Sequence, residues 1–288
     1  MTIKNLSKVL IMSLLPLCSH AFETSGKVLL TGGVSQIEGS AGGGLTPWAI
    51  IGGYETEDQI GFNAFHTNVN TTDYTLETGG AMIGLYDRVE LSYAKQSFNT
   101  QSVGAALGVG SNFRLIQNIY GLKVRLIGDA LLDQDSWVPQ VAVGVQYKQN
   151  EQGDVVRLLG AKDISGYDYY VSATKIYLDQ SLLVNLTLRS TKANQLGLLG
   201  YGGDKNDNPQ LRIEGSLAYL LSQNFALGVE YRQKPNNLGV ADENDWSDVF
   251  LAWAPTKNIS LTLASAKLGK VAIKDDQNGF YSSIQIGF

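Results

Sequence analysis

The feature that most constrains this chain is an alternation of apolar and polar side chains with a period of two residues, recurring in segments of about ten residues almost throughout. In Phe225 to Lys234 the row Phe225, Leu227, Val229, Tyr231 is apolar, and Glu230, Arg232 and Lys234 stand opposite. Leu211, Ile213, Leu217 and Tyr219 oppose Arg212, Glu214 and Ser216, and Leu182, Val184, Leu186 and Leu188 oppose Asn185, Thr187 and Arg189. Val141, Val143, Val145 and Tyr147 oppose Gln140, Gln146 and Lys148, while Tyr120, Leu122, Val124 and Leu126 oppose Lys123 and Arg125. The last segment puts Phe280, Ser282, Ile284, Ile286 and Phe288 on one face, with an aromatic at the final position. Such strands fit a soluble sandwich with its apolar rows inside. They also fit a transmembrane cylinder with those rows outside.

Connection lengths separate the two architectures. Strand candidates fall at 26–34, 46–54, 58–68, 74–85, 88–98, 117–130, 137–149, 166–178, 181–191, 209–221, 225–235, 246–255, 258–268 and 278–288. Short links near 55–57, 86–87, 132–136, 179–180, 222–224 and 255–257 alternate with longer ones at 35–45, 69–73, 99–116, 150–165, 191–208, 234–245 and 268–277. Outer-membrane barrels alternate in this way, with tight periplasmic turns and longer outward loops; Greek-key sandwiches do not. The expectation is an all-β fold, a single antiparallel transmembrane β-barrel of 14 strands. Twelve is the fallback, because Gly32-Gly33 in 26–34 can belong to an inward plug. The Gly39 to Gly44 stretch can likewise fold inward and constrict the lumen. A short helix is expected only within 102–117. Aromatics near strand ends (Trp48, Tyr54, Tyr86, Trp137, Tyr147, Tyr167, Trp246, Trp253) are candidates for interfacial girdles.

Residues 1–21 read as a secretory signal peptide, with Lys4 and Lys8, the apolar run Val9 to Leu17, and Ser19-His20-Ala21 before the cleavage point. Residues 22–288 are then the barrel, and the outer membrane is the expected location. The lone Cys18 lies in the leader, after a leucine too large for a lipid-attachment site, so the mature chain has no thiol chemistry. Losing two lysines takes the net charge from −5 to −7, which argues against nucleic acid as a partner.

The inward rows nominate Arg88, Glu90, Lys123, Arg125, Arg189, Arg212, Glu214, Glu230, Arg232 and Lys234 as lumen lining. Opposed charges on neighbouring strands either pair and fill a polar interior or filter polar solutes in a conducting path. Phe280, Ile284, Ile286 and Phe288 are candidates for a signal read by barrel-assembly machinery; membrane lipid and small polar solutes complete the expected partners. No cofactor or metal is expected. His66 shares the apolar face of Ile60, Phe62 and Ala64, so it points away from any lumen chemistry. Asp204-Lys205-Asn206-Asp207-Asn208 starts like a calcium loop, but Pro209 stands at the sixth place and Gly215 at the twelfth. A solvated loop is the better reading there and at Asp242-Glu243-Asn244-Asp245.

Gly26-Lys27-Val28-Leu29-Leu30-Thr31-Gly32-Gly33-Val34, Ile37-Glu38-Gly39 and Gly42-Gly43-Gly44-Leu45-Thr46-Pro47-Trp48-Ala49 resemble a proteobacterial family of outer-membrane β-barrel proteins of unknown function. The resemblance returns at Gly228-Val229-Glu230-Tyr231-Arg232, Lys234-Pro235-Asn236-Asn237-Leu238 and Asp245-Trp246-Ser247-Asp248, and in the closing strand. It implies a single barrel and assigns no activity. The residues themselves leave three functions open. One is a passive channel or transporter for small polar solutes. Another is a non-conducting barrel acting through its outward loops, and the third is a membrane-embedded hydrolase dependent on His66. The expectation is a non-enzyme.

Overall fold

The computed structural model describes residues 27, 29–30, 32–106 and 108–288; the expected signal peptide, with Cys18, lies outside them. Two short strands, β1 (Val34–Ser35) and β2 (Ala41–Gly42), precede twelve long ones. These are β3 (Ile60–Thr71), β4 (Thr75–Leu85), β5 (Val89–Asn99), β6 (Arg114–Ile127), β7 (Gln140–Asn150) and β8 (Ser165–Tyr177). They continue with β9 (Leu182–Thr191), β10 (Gln210–Ser222), β11 (Phe225–Arg232), β12 (Trp246–Thr256), β13 (Ile259–Lys267) and β14 (Asn278–Gly287). Each pairs antiparallel with its sequence neighbours, and β14 returns to β3 to close a barrel. The last residue takes part: Phe288 donates its N–H to the Phe62 carbonyl at 2.8 Å and accepts from the Phe62 N–H at 3.0 Å. A closed ring leaves no strand edge unpaired, the condition for β-structure surrounded by hydrocarbon.

Twelve strands, not fourteen, form the wall. The segment 46–54 and the described part of 26–34 are not wall strands but run inside the lumen. Their glycines and lack of a charged row suit close packing within a cylinder better than a face toward lipid. Two connections also depart from strict alternation. The β3–β4 turn at the far end is only residues 72–74, and the near-end link at 128–139 is long. The expected helix appears as α1 (Val103–Ala106), and a second, α2 (Gly153–Leu158), sits in the β7–β8 loop where no helical period announced it.

The facing is inverted relative to a soluble sheet. Leu227, Val229 and Ile284 are 44%, 46% and 43% exposed on the outside, while Glu214 and Arg232 on the inward rows are 0% and 2% exposed. Tyr93, Tyr120, Tyr147 and Tyr167 occupy one register row across β5–β8 and form an outward ladder of rings 5.3, 6.4 and 4.9 Å apart. Trp253 also faces out, stacked on Phe225 at 5.6 Å. Trp48 and Trp246 do not belong to a girdle: both are buried in the interior. Trp137 lies exposed in the near-end 128–139 link.

The lumen has two storeys. From the near end, where both termini of the wall lie, residues 32–53 enter as a plug, every one of them buried. The chain passes Lys27, whose N–H bonds to the Tyr54 carbonyl, rises through β1, turns at Gly39, and comes back through β2 and Trp48 toward Tyr54. Gly39 is required at that turn. Its φ is +98°, and a Cβ there would stand 2.9 Å from the Ala94 side chain on the wall. Above the plug the interior becomes apolar. Val69, Leu76, Phe98, Phe250 and Tyr281 of the wall meet Leu198, Leu199, Leu268 and Val271 of the far-end loops, leaving a cavity of about 30 Å³.

Candidate functional site: the interface between plug and wall

Inward-facing charges meet the plug in successive layers. At the near end, Lys27 Nζ lies 2.9 Å from Glu55 Oε1 and 2.7 Å from Asp87 Oδ1, and Arg125 bonds Asp87 and, at 3.0 Å, Asp129. Glu55 is pushed up to about 7 by burial, against the opposing pull of Lys27, and its Oε2 has no hydrogen-bond partner among the described residues.

Deeper in, Lys123 Nζ donates to the plug carbonyls of Ala41 and Ile50 at 3.0 and 2.8 Å and to Glu90 Oε2 at 2.8 Å. Glu90 in turn accepts the plug N–H groups of Ala41 and Gly52 at 3.1 and 2.9 Å. One ion pair on the wall thus clasps β2 and the returning segment at 50–52 of the plug backbone. Glu230 does the same for the second turn, accepting from Leu45 N–H at 2.8 Å, Thr46 N–H at 3.3 Å and Thr46 Oγ1 at 2.6 Å. Ser216 completes that layer through Thr46 Oγ1 at 2.5 Å and Trp48 Nε1 at 2.9 Å.

At the tip of the plug stands Glu38, the single ionisable side chain between 32 and 53. Its carboxylate bonds Lys148, lies 2.7 Å from Arg232 Nη1 and 3.8 Å from Arg189 Nη2, and accepts from Gln36 Nε2 at 3.1 Å. Asp168 and Glu214 of the wall share the same cations: Lys148–Asp168 is 2.6 Å, Arg189–Glu214 2.5 Å and Arg232–Glu214 3.2 Å. The Tyr170 ring lies under the Arg189 guanidinium at 5.1 Å.

Of the ten lumen candidates, Glu90, Lys123, Arg189, Glu214, Glu230 and Arg232 line the plugged interior, and Arg125 its near rim. Lys234 lies just beyond β11 at the far mouth, 3.2 Å from Glu243 and 4.3 Å from the Trp246 ring. Burial pushes its ammonium down to about 8 and the Glu243 carboxyl up, each opposed by the other's charge. Arg212 is half-buried at the far end of β10 and bonds Gln210. Arg88 does not line the lumen. It is exposed in the β4–β5 turn and caps the Arg125 and Leu126 carbonyls at 3.3 Å, because the strand begins one residue later than expected. Lys148, Asp168, Asp248 and Glu38 are buried in the interior as well and stand outside those ten. Lys148 was legible on the polar row of β7, whereas Glu38 has no alternating row around it to give it away. Asp207 pairs with Lys192 at 2.8 Å and Asp204 accepts from Gly239 N–H at 2.7 Å, so both serve the far-end loops. His66 is exposed on the outer face, as its row required.

Residues 31–285 match the model of a protein family of unknown function, DUF3034. The chain belongs to that family. Among curated proteins, none is similar in sequence. Solved structures share the fold. The KdgM porin superposes with a TM-score of 0.52 at 11% identity, covering 78% of this chain and 99% of its own. The NanC porin gives 0.51 at 11%, covering 78% and 98%. At such identities the likeness establishes the barrel architecture, and function has to be argued from the site.

Proposed function

We propose that this DUF3034 protein is an outer-membrane channel for small polar solutes, held shut at rest by its own N-terminal plug. The observation that carries the reading is the chemistry of the plug's contacts. The wall is a complete ring without the plug, and beside its neutral polar contacts it grips plug backbone with the buried charged side chains of Glu90, Lys123, Glu230 and Arg232. A permanent filler has no need of this, since replacing buried ion pairs by packed apolar groups is often neutral or stabilising. Charges that water can solvate when the plug leaves suit a removable one. The KdgM porin has also been solved in complex with oligogalacturonate, so a barrel of this architecture can bind a solute. In this reading the near end is periplasmic, the tyrosine ladder and Trp253 meet the lipid, and the apolar cap of far-end loops opens with the plug.

The test is single-channel recording in planar bilayers. Thr46 Oγ1 and Ser216 Oγ lie 2.5 Å apart, near the disulfide S–S length of about 2.0 Å. Thr46→Cys with Ser216→Cys therefore staples plug to wall. The parent should open rarely and deletion of 32–53 should leave a standing conductance. The oxidised staple should be silent until reduced. A deletion variant that still shows heat-modifiable gel migration, yet carries no current, would remove the proposal. The loop cap favours a second reading, a non-conducting barrel that works through its outward loops. That reading requires deletion of 194–208 to abolish function while lumen substitutions leave it intact.

A further inference from the structure

The cluster around Glu38 carries an unequal charge count on its wall side. Three cations, Lys148, Arg189 and Arg232, face two wall carboxylates, Asp168 and Glu214. Three minus two leaves one positive charge, and Glu38 of the plug supplies the missing negative one. All six side chains are at most 3% exposed. An unmatched buried charge is costly, so the plugged cluster requires an anion at this position, and with the plug out the excess positive charge of these three cations faces the lumen and attracts one.

We propose that the Glu38 seat is a binding site for the carboxylate of a solute, and that the plug closes the barrel by placing its own carboxylate where that of the solute would sit. The proposal rests on the gated reading above and narrows its solute to small polar acids. The wall geometry suits the exchange. Arg232 Nη1 and the Lys148 ammonium reach different oxygens of Glu38, Oε2 and Oε1, and a guanidinium and an ammonium so placed bind a carboxylate through both oxygens. Arg189, held by Glu214, by Gln146 at 2.9 Å and by the Tyr170 ring, stays in position when the occupant changes. Among the described residues Gln36 supplies the further contact to the carboxylate, and it leaves with the plug. A tethered competitor acts at an effective concentration of millimolar order, so a free acid must reach at least that level to displace it.

The experiment is isothermal titration of the purified mature chain in detergent with D-glucuronate and, as the uncharged counterpart, D-glucose. Glu38→Gln removes the internal competitor and leaves the wall's excess charge. Glucuronate should bind Glu38→Gln on the order of tenfold or more tightly than it binds the parent, because the seat is no longer occupied most of the time. Glucose should bind neither. Adding Arg232→Gln to Glu38→Gln should abolish glucuronate binding. Equal affinity of glucuronate for parent and Glu38→Gln, or equal binding of glucose and glucuronate, overturns the proposal. General loosening of the plug cannot mimic selectivity for the acid. If Glu38→Gln does not form a heat-modifiable barrel, amide exchange of residues 35–48 in the parent decides. Acceleration by glucuronate and not by glucose supports the seat, and no difference overturns it. None of these readouts needs current, so a silent deletion variant sinks the channel while leaving the seat to stand or fall separately.

Discussion

Replacing Lys123 by methionine removes one of the clasps on the plug while keeping an unbranched side chain of similar length. In the parent, the ammonium binds two plug carbonyls and Glu90, and both members of the pair are 1% exposed. In Lys123→Met the Glu90 carboxylate keeps only the Ala41 and Gly52 amides, the Ile50 carbonyl loses the ammonium and the Ala41 carbonyl keeps only the Trp48 N–H. Stripping one partner from a buried ion pair costs about 3–5 kcal/mol. If that loss falls on plug docking, the fraction of time the plug is out rises on the order of 10²–10⁴-fold, at about 1.4 kcal/mol per decade. Glu90→Gln with Lys123→Met removes both charges together and should recover most of the loss. Hydrogen exchange of the amides at 41–52, with the strands β8–β13 as internal reference, measures it. Unchanged exchange in Lys123→Met refutes the reasoning. So does a double variant as loose as the two single variants added together, because then the pair is not coupled across the interface.

Three other outcomes follow from the geometry. A Cβ on Gly43 would stand 2.1 Å from Glu230 Oε1, so Gly43→Ala should weaken plug docking by about 1–3 kcal/mol, seen as faster exchange at 41–50 with the barrel's gel migration unchanged. Burial raises Glu55 to about 7 from an ordinary 4.5, so its contribution to the near-end latch is complete below about pH 4.5 and is lost as pH rises through 7. Protection at 50–59, taken relative to the intrinsic base-catalysed rate at each pH, should therefore fall between pH 5 and 8, and Glu55→Gln should flatten that fall; an equal fall in the variant removes Glu55 as the cause. Tyr120→Ala breaks two ring contacts of the outer ladder, each worth about 0.5–1.5 kcal/mol, and should lower the urea midpoint in vesicles by the equivalent of about 1–3 kcal/mol without altering plug exchange.

The wall was readable because its rule is local. Two-residue alternation needs no knowledge of distant partners, so Leu227 against Arg232 or Leu188 against Arg189 declares the strand, and only the sense of the inversion waits for the fold. All twelve wall strands lie within a few residues of the expected segments. The plug was harder to read because its order comes from the wall around it. Residues 46–54 have the apolar content of a strand, yet Trp48 and Ile51 are buried by a cylinder whose contacting groups, Glu90, Lys123 and Ser216, lie 38, 73 and 168 residues from Gly52, Ile50 and Trp48. Glycine in the 32–44 stretch hinted at inward packing without saying which wall charges would grip it. Glu38 shows the limit most clearly. Its role exists only where β7, β9 and β11 bring Lys148, Arg189 and Arg232 to one point.

The path of the plug, up from Lys27 beside Tyr54 and back down to the same place, also decides how it can be removed. Among the described residues nothing passes through the ring from one side to the other, so the stopper is a bight of chain and not a threaded cord. In the gated reading it is drawn out and pushed back with every rung of the staves intact.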